Sequence, residues 1–405
     1  MRLESKDQSS NERDQSTSAV SHEGLALVMF PSSQQHERLE VGTQPKSTEF
    51  TAKQMLEAVL KGRWMNAQTM YRTKPELMFI KVEDEVEEYA AKITTRVNDE
   101  GGEELVLVHR RVKGLSPFQA ALAAGDYQLL EDMPSYFDAV VDTENKPIGR
   151  KLAAEQFNEQ FPDGDFTYPK STYNFESLIL AITNDDNLIT TGEPNDTTKA
   201  ALLTFKNHYL PGVVTKGHLF NLNDLVKAWE LYSSKLSLAS RNPWEPNQLT
   251  FFCCQVVGGL ELAATAVDAQ RLCKADEFHH GVDDESRNNS FILRDQFQQQ
   301  IIKDDKFMEY FPCDLNFLLG RDFAVLNWQD RIPAPTLRYR NKMVVGRGIG
   351  AGGRGVSEEE GGFGHMLKSY VEEKNQGLAT LRNTLKSEVI VQDSSRIGLR
   401  KSFGS

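Results

Sequence analysis

The sequence predicts a mainly helical fold in which paired helices carry an inserted β-hairpin and are followed by a larger helical domain. Two stretches repeat apolar residues at helical spacing as adjacent pairs, around residues 51–75 and 116–137. Between them the period becomes that of extended chain, with Ile93 and Val97 followed by Leu105, Val106, Leu107 and Val108. Beyond residue 142 long polar stretches alternate with helical periodicity.

Composition sets the outer limits. The chain has 405 residues with 46 basic and 58 acidic side chains, a net charge of −12, which argues against the whole surface binding nucleic acid or membrane. Four cysteines are too few for a disulfide framework in a chain of this length. The N-terminal apolar run, Gly24 to Phe30, has seven residues, against the roughly 20 that a membrane helix needs. No secretory leader is readable, so the expectation is a product that begins in the cytoplasm.

Residues 1–48 are polar and charged without a sustained apolar period, and read as a flexible arm. Residues 49–141 hold the helix pairs and the hairpin. Met55, Leu56, Val59 and Leu60 form the first helix face, which Gly62 ends; Trp64, Ala67, Met70 and Tyr71 form the second, stopped by Pro75. The Asn98-Asp99-Glu100-Gly101-Gly102 cluster between two extended runs signals a hairpin.

The second pair opens on Ser116-Pro117-Phe118-Gln119-Ala120-Ala121, which resembles the Thr-Pro-Leu-His-x-Ala start of an ankyrin repeat. Ser116 can cap the helix, and Pro117 takes the first position, where a missing N–H costs nothing. Ala120, Ala121, Ala123 and Ala124 allow close helix approach, Gly125 breaks the helix, and Asp126 restarts it toward Leu129, Leu130 and Met133. Placing Gly62 on Gly125 also matches Ala58 with Ala121 and Met70 with Met133. The fold is therefore expected to contain degenerate ankyrin-like pairs with the hairpin inserted.

Residues 142–335 are expected to form the helical domain, with helices at Lys151–Gln160, Phe175–Ile182, Thr198–Tyr209 and Leu222–Tyr232. A helix apolar almost all round, from Leu249 to about Cys273, would be its core. Residues 336–364 read as a Gly/Arg-rich loop, 365–391 as an amphipathic helix striped by Leu367, Val371, Leu378, Leu381 and Leu385, and 392–405 as a basic tail.

The order of these parts resembles a family of ankyrin-like proteins from Legionella-type intracellular bacteria. The residues carrying the resemblance are Pro75-Glu76-Leu77-Met78, the hairpin, Leu115 to Leu122, Gln255-Val256-Val257-Gly258 and Leu378 to Leu385. Many members are substrates of a type IV secretion system, and no catalytic residues are carried over from them. The resemblance implies a bacterial protein delivered into a host cell, where it binds a host protein. Ser357-Glu358-Glu359-Glu360 resembles the acidic blocks of some export signals, although it lies about 45 residues from the end, and also reads as a solvated charge run.

Three functional readings follow. The first is a non-catalytic interaction module using the hairpin tip at Asn98, Asp99 and Glu103 and the helix-pair residues Gln119 and Asp126. The second is an enzyme acting on a host target with Cys313 as nucleophile, which needs a histidine nearby to draw off its proton. The third is an anion or nucleic-acid binder using Arg338, Arg340, Lys342, Arg347 and Arg354, part of a stretch without an acidic residue between Arg331 and Ser357. Gly348-Ile349-Gly350-Ala351-Gly352-Gly353 fits G-x-G-x-x-G, but further glycines follow where a dinucleotide site needs a helix. Cys273, Asp276, His279 and His280 lack the paired spacing of a zinc site, and Cys253 and Cys254 read as small core residues. No cofactor or metal is implied.

Overall fold

The computed structural model describes residues 50–97, 102–209, 212–236, 244–273, 299–303, 306–310, 323–327, 335–339, 342–344 and 363–401. The polar arm, with its Gly24–Phe30 patch, lies outside the described residues.

Both expected helix pairs form, from matching local chemistry. In α1 (Ala52–Leu60) the Thr51 hydroxyl accepts from the Gln54 N–H at 3.2 Å while the Gln54 side chain accepts from the Thr51 N–H at 3.0 Å. Gly62 then turns the chain at φ 65° into α2 (Trp64–Thr73). In α3 (Pro117–Ala124) Ser116 and Gln119 make the same reciprocal box at 3.1 and 3.2 Å. Gly125 turns the chain at φ 60°, and the Asp126 carboxylate accepts from the Leu129 N–H at 3.1 Å to start α4 (Tyr127–Asp132). Helix α1 packs on α3, and α3 packs in turn on α5 (Gly149–Gln160).

The inserted hairpin is β1 (Val86–Val97) paired antiparallel with β2 (Glu103–Val112), from Val86 opposite Val112 to Val97 opposite Glu103. A two-residue strand, β3 (Val213–Val214), adds in parallel to β2 at Arg111–Val112 and completes a three-stranded sheet.

Beyond α5 come α6 (Glu176–Thr183), α7 (Asp186–Thr191), α8 (Asp196–Tyr209) and α9 (Leu222–Leu236). With α5, these include all four helices expected after residue 142; α7 is additional. The long helix expected from Leu249 to Cys273 is not continuous. It divides into α10 (Pro246–Phe251), a π-helical turn (Phe252–Val257), α11 (Gly258–Ala263) and α12 (Ala266–Cys273). The break falls at Ala264, whose ψ of 152° is extended, and the Thr265 hydroxyl caps the next helix through the Asp268 N–H at 3.2 Å.

Three boundaries differ from expectation. The span 142–335 is not helical throughout, because β4 (Gln299–Lys303) pairs with β5 (Lys306–Tyr310), and β6 (Phe323–Asn327) pairs with β7 (Pro335–Tyr339). Strand β8 (Lys342–Val344) pairs with β7, so the Gly/Arg-rich segment begins as strand. Pro335 is tolerated because it stands first in its strand, where no ladder donor is required of it. The last helix, α13, runs from Phe363 to Lys401 and takes in most of the expected basic tail.

Two buried clusters form the core. The first joins α1, α3, α4 and α5 with Val86 and Val112 from the root of the hairpin. The second joins α6, α8, α9, the π-helical turn and α11 with Ala324 of β6. Helix α13 enters both: Leu367, Tyr370 and Val371 belong to the second, and Leu378, Leu381 and Leu385 to the first.

Candidate interaction site: the hairpin and its seat

The hairpin is rooted where the two clusters meet. Its base is closed by Val82, whose N–H donates to the Leu115 carbonyl at 3.0 Å and whose carbonyl accepts from the Gly114 N–H at 2.9 Å. Val86 belongs to the first cluster and Ala90 to the second, so five residues of β1 span both. Between them Glu88 carries a carboxylate that accepts from Nε of Arg110 on β2 at 2.5 Å, with both side chains wholly buried. Arg110 Nη1 donates to the Leu219 carbonyl. Arg110 Nη2 and Glu88 Oε1 have no hydrogen-bond partner among the described residues.

Burying two charges costs several kcal/mol per ion, and a close pair returns that cost only partly. Such a pair is better suited to fixing an arrangement than to stabilising it. Here it joins both strands of the hairpin to the chain at Leu219, beside an irregularity in register between Glu87 and Ala91. At the surface of the root, Arg111 pairs with Glu85 at 2.7 Å, and Lys92 reaches Asn207 of α8 at 3.1 Å. Further out, Leu107 is half-buried and Val108 is exposed.

Of the sequence-predicted tip residues, Asn98 and Asp99 lie outside the described residues, and Glu103 opens β2 opposite Val97. Gln119 and Asp126 are placed inside the protein, at 3% and 7% exposure. Gln119 closes its capping box and also donates to Glu159 at 3.3 Å. Gln119 is thus engaged by its own cap and by α5, and Asp126 by the start of α4, with both side chains buried.

Asp126 adjoins a buried polar junction that the sequence analysis did not find. Lys374 of α13 donates to Asp268 of α12 and, at 2.8 Å, to the Ala124 carbonyl at the end of α3. The Tyr370 hydroxyl donates to the same Asp268 oxygen at 3.1 Å, and the Thr265 hydroxyl donates to the other at 2.7 Å. Tyr168 lies under the ammonium and stacks on His218 at 4.0 Å between ring centres. Burial pushes the Asp126 carboxyl up to about 6, against the opposing pull of the Leu129 N–H and Lys374. Burial pushes His218 down to about 4, helped by the positive charge of Lys374. Burial alone would lower the Lys374 amine, but Asp268 and Tyr168 together outweigh it and raise it.

Two sequence signals point at these missed residues. Glu88 alternates with Val86 and Ala90, all three buried, so strand period alone places it inward. Lys374 falls on the apolar stripe of α13, four residues after Tyr370 and four before Leu378.

Of the remaining predicted residues, Cys253, Cys254, Cys273, Arg338 and Lys342 fall among the described ones. Arg338 stands in β7 at the register position opposite the buried Ala324, and Lys342 stands in β8 opposite Tyr339. Arg340, Arg347, Arg354, Cys313, the glycine motif and Asp276, His279 and His280 lie outside the described residues. Cys273 ends α12, while Cys253 and Cys254 are buried in the π-helical turn as expected of core residues. Among the described residues no group of three or more His, Cys, Asp and Glu side chains is placed to hold a metal ion, and no helix is long and apolar enough to cross a membrane. Comparison of the chain with known protein families, with curated proteins and with solved structures finds no match to any of them.

Proposed function

We propose that this chain is a non-catalytic protein–protein interaction module, delivered by an intracellular bacterium into a host cell, and that the hairpin β1–β2 engages a host protein there. The observation that carries this reading is the seating of the hairpin. A wholly buried Arg110–Glu88 pair and residues in both apolar clusters hold its root. A finger ordered before binding loses less entropy on association, and this favours affinity. The insertion of that finger between helix pairs with matching caps also agrees with the ankyrin-like reading.

A shortened hairpin tests it. Replacing Thr94–Val106 with Asn-Gly keeps the pairing of Ile93 with Leu107 and the whole root, and supplies a two-residue turn. The full chain is expected to co-purify a defined host protein that the shortened chain loses, with the unfolding midpoint unchanged. Recovery of the same protein by both chains would remove the hairpin from the reading. A reporter fusion that responds only inside host cells tests delivery separately, and silence from a stable full-length fusion counts against it.

A further inference from the structure

We infer that the side-chain amine of Lys206 is an acylation site, a nucleophile that accepts an acyl group from an activated donor such as a thioester or an anhydride. Lys206 lies on α8 between Phe205 and Tyr209, both of which are buried in the second cluster, and is itself half-buried. Its stem can lie along apolar surface while the amine stays at the rim. The Nζ donates to Gln255 Oε1 at 3.1 Å, and among the described residues this neutral amide oxygen is its only polar partner. The contrast with other lysines is in the counter-charge. Lys374, more deeply buried, is held by Asp268; Lys199, on the same helix, sits 3.6 Å from Asp196; and Lys227 sits 3.6 Å from Glu230.

An ammonium removed from water without a carboxylate beside it favours its neutral form. The amine is accordingly pushed down to about 8 by burial. Gln255 belongs to the π-helical turn, a geometry that recurs at functional positions.

In the reaction, the lone pair of the neutral amine attacks the acyl carbonyl carbon and a C–N bond forms. The C–S bond of a thioester, or the C–O bond of an anhydride, breaks with its electron pair, so that a thiolate or a carboxylate leaves. The surplus proton on nitrogen passes to solvent. The amide product retains one N–H for Gln255 and no longer carries a charge that burial disfavours.

The test uses the intact full chain and trace isotope-labelled acetic anhydride, with labelling read at each lysine by peptide mass spectrometry across pH. Near neutral pH, Lys206 is expected to label about tenfold faster than the ion-paired Lys199, because burial without a counter-charge favours the neutral, nucleophilic form of its amine. Its rate should level off above its own value of about 8. Gln255→Glu, which supplies the missing carboxylate, is expected to slow Lys206 about tenfold and move the plateau to higher pH. Gln255→Met, which removes the acceptor without adding charge, is expected to leave the fast labelling intact. Equal rates at Lys206 and Lys199, or equal slowing by both Gln255 variants, would overturn the assignment.

Discussion

Arg110 is a wholly buried cation with one wholly buried carboxylate partner, Glu88, and that arrangement makes single and double substitutions behave differently. Arg110→Met strands Glu88 in the interior and should cost about 3–5 kcal/mol in urea unfolding. Adding Glu88→Leu removes both charges together and should recover most of that loss. If the double variant is as unstable as the single, the pair stabilises the hairpin root in its own right. Asp126 and His218 form a second contrast. Asp126 has a folded value of about 6 against an ordinary 3.8, so the folded state holds its proton more tightly and its contribution to stability falls as pH rises between them. His218 has a folded value of about 4 against 6.5, so its contribution rises with pH over nearly the same interval. In the native chain the two slopes oppose each other. Asp126→Asn should expose the histidine slope, with stability rising from pH 4 to 6.5, and His218→Asn should expose the opposite one; chemical denaturation across that range reads both.

At the scale of elements, the glycine turns leading into and out of α3 set the sharpest expectations. Gly114 and Gly125 both have positive φ, 69° and 60°, but a Cβ at Gly114 meets nothing within 4 Å. At Gly125 it would fall 2.4 Å from the Tyr168 hydroxyl and 2.8 Å from Lys374 Cε. Gly114→Ala should therefore cost only the left-handed backbone term, about 1–2 kcal/mol. Gly125→Ala should cost clearly more, because the polar junction must also shift, and thermal unfolding separates the two. The glycine at 125 was legible in the sequence as a helix break, as were the Ser116 cap and the hairpin, because these signals are local. The second reason for that glycine was not legible. It depends on Lys374 and Tyr168, which are distant in sequence and meet only when the chain is folded. A third pair, α6–α7, shares the two-residue turn of α3–α4, with the Asp185 carboxylate accepting from the Leu188 N–H at 2.9 Å as Asp126 does from Leu129. Its signal was present in Asn184-Asp185 followed by Leu188, but α7 has only six residues, too few to show an apolar period. The breaks inside residues 246–273 were hidden for the opposite reason, since uninterrupted apolarity carries no period from which an end can be read.

Over the whole molecule, α13, like β1, gives residues to both apolar clusters, and Lys374 sits between the residues it gives to each. One helix that buries Tyr370 and Val371 on one side of an internal ion pair and Leu378, Leu381 and Leu385 on the other cannot leave one cluster intact while detaching from the other. The two clusters should therefore open together. Leu381→Ala removes buried side-chain volume from the first cluster alone and should cost about 2–5 kcal/mol. If α13 couples the clusters, hydrogen exchange under native conditions will show protection falling by the same free energy in α3 and α5 as in α9 and α11, which Leu381 does not join. Loss confined to α3 and α5 would mean that the clusters unfold separately, and that the Lys374–Asp268 contact breaks before either does. The choice bears on the proposed function, because a hairpin rooted in both clusters stays ordered only while both hold. A coupled molecule presents its finger at all times; an uncoupled one presents it only while the less stable cluster remains closed.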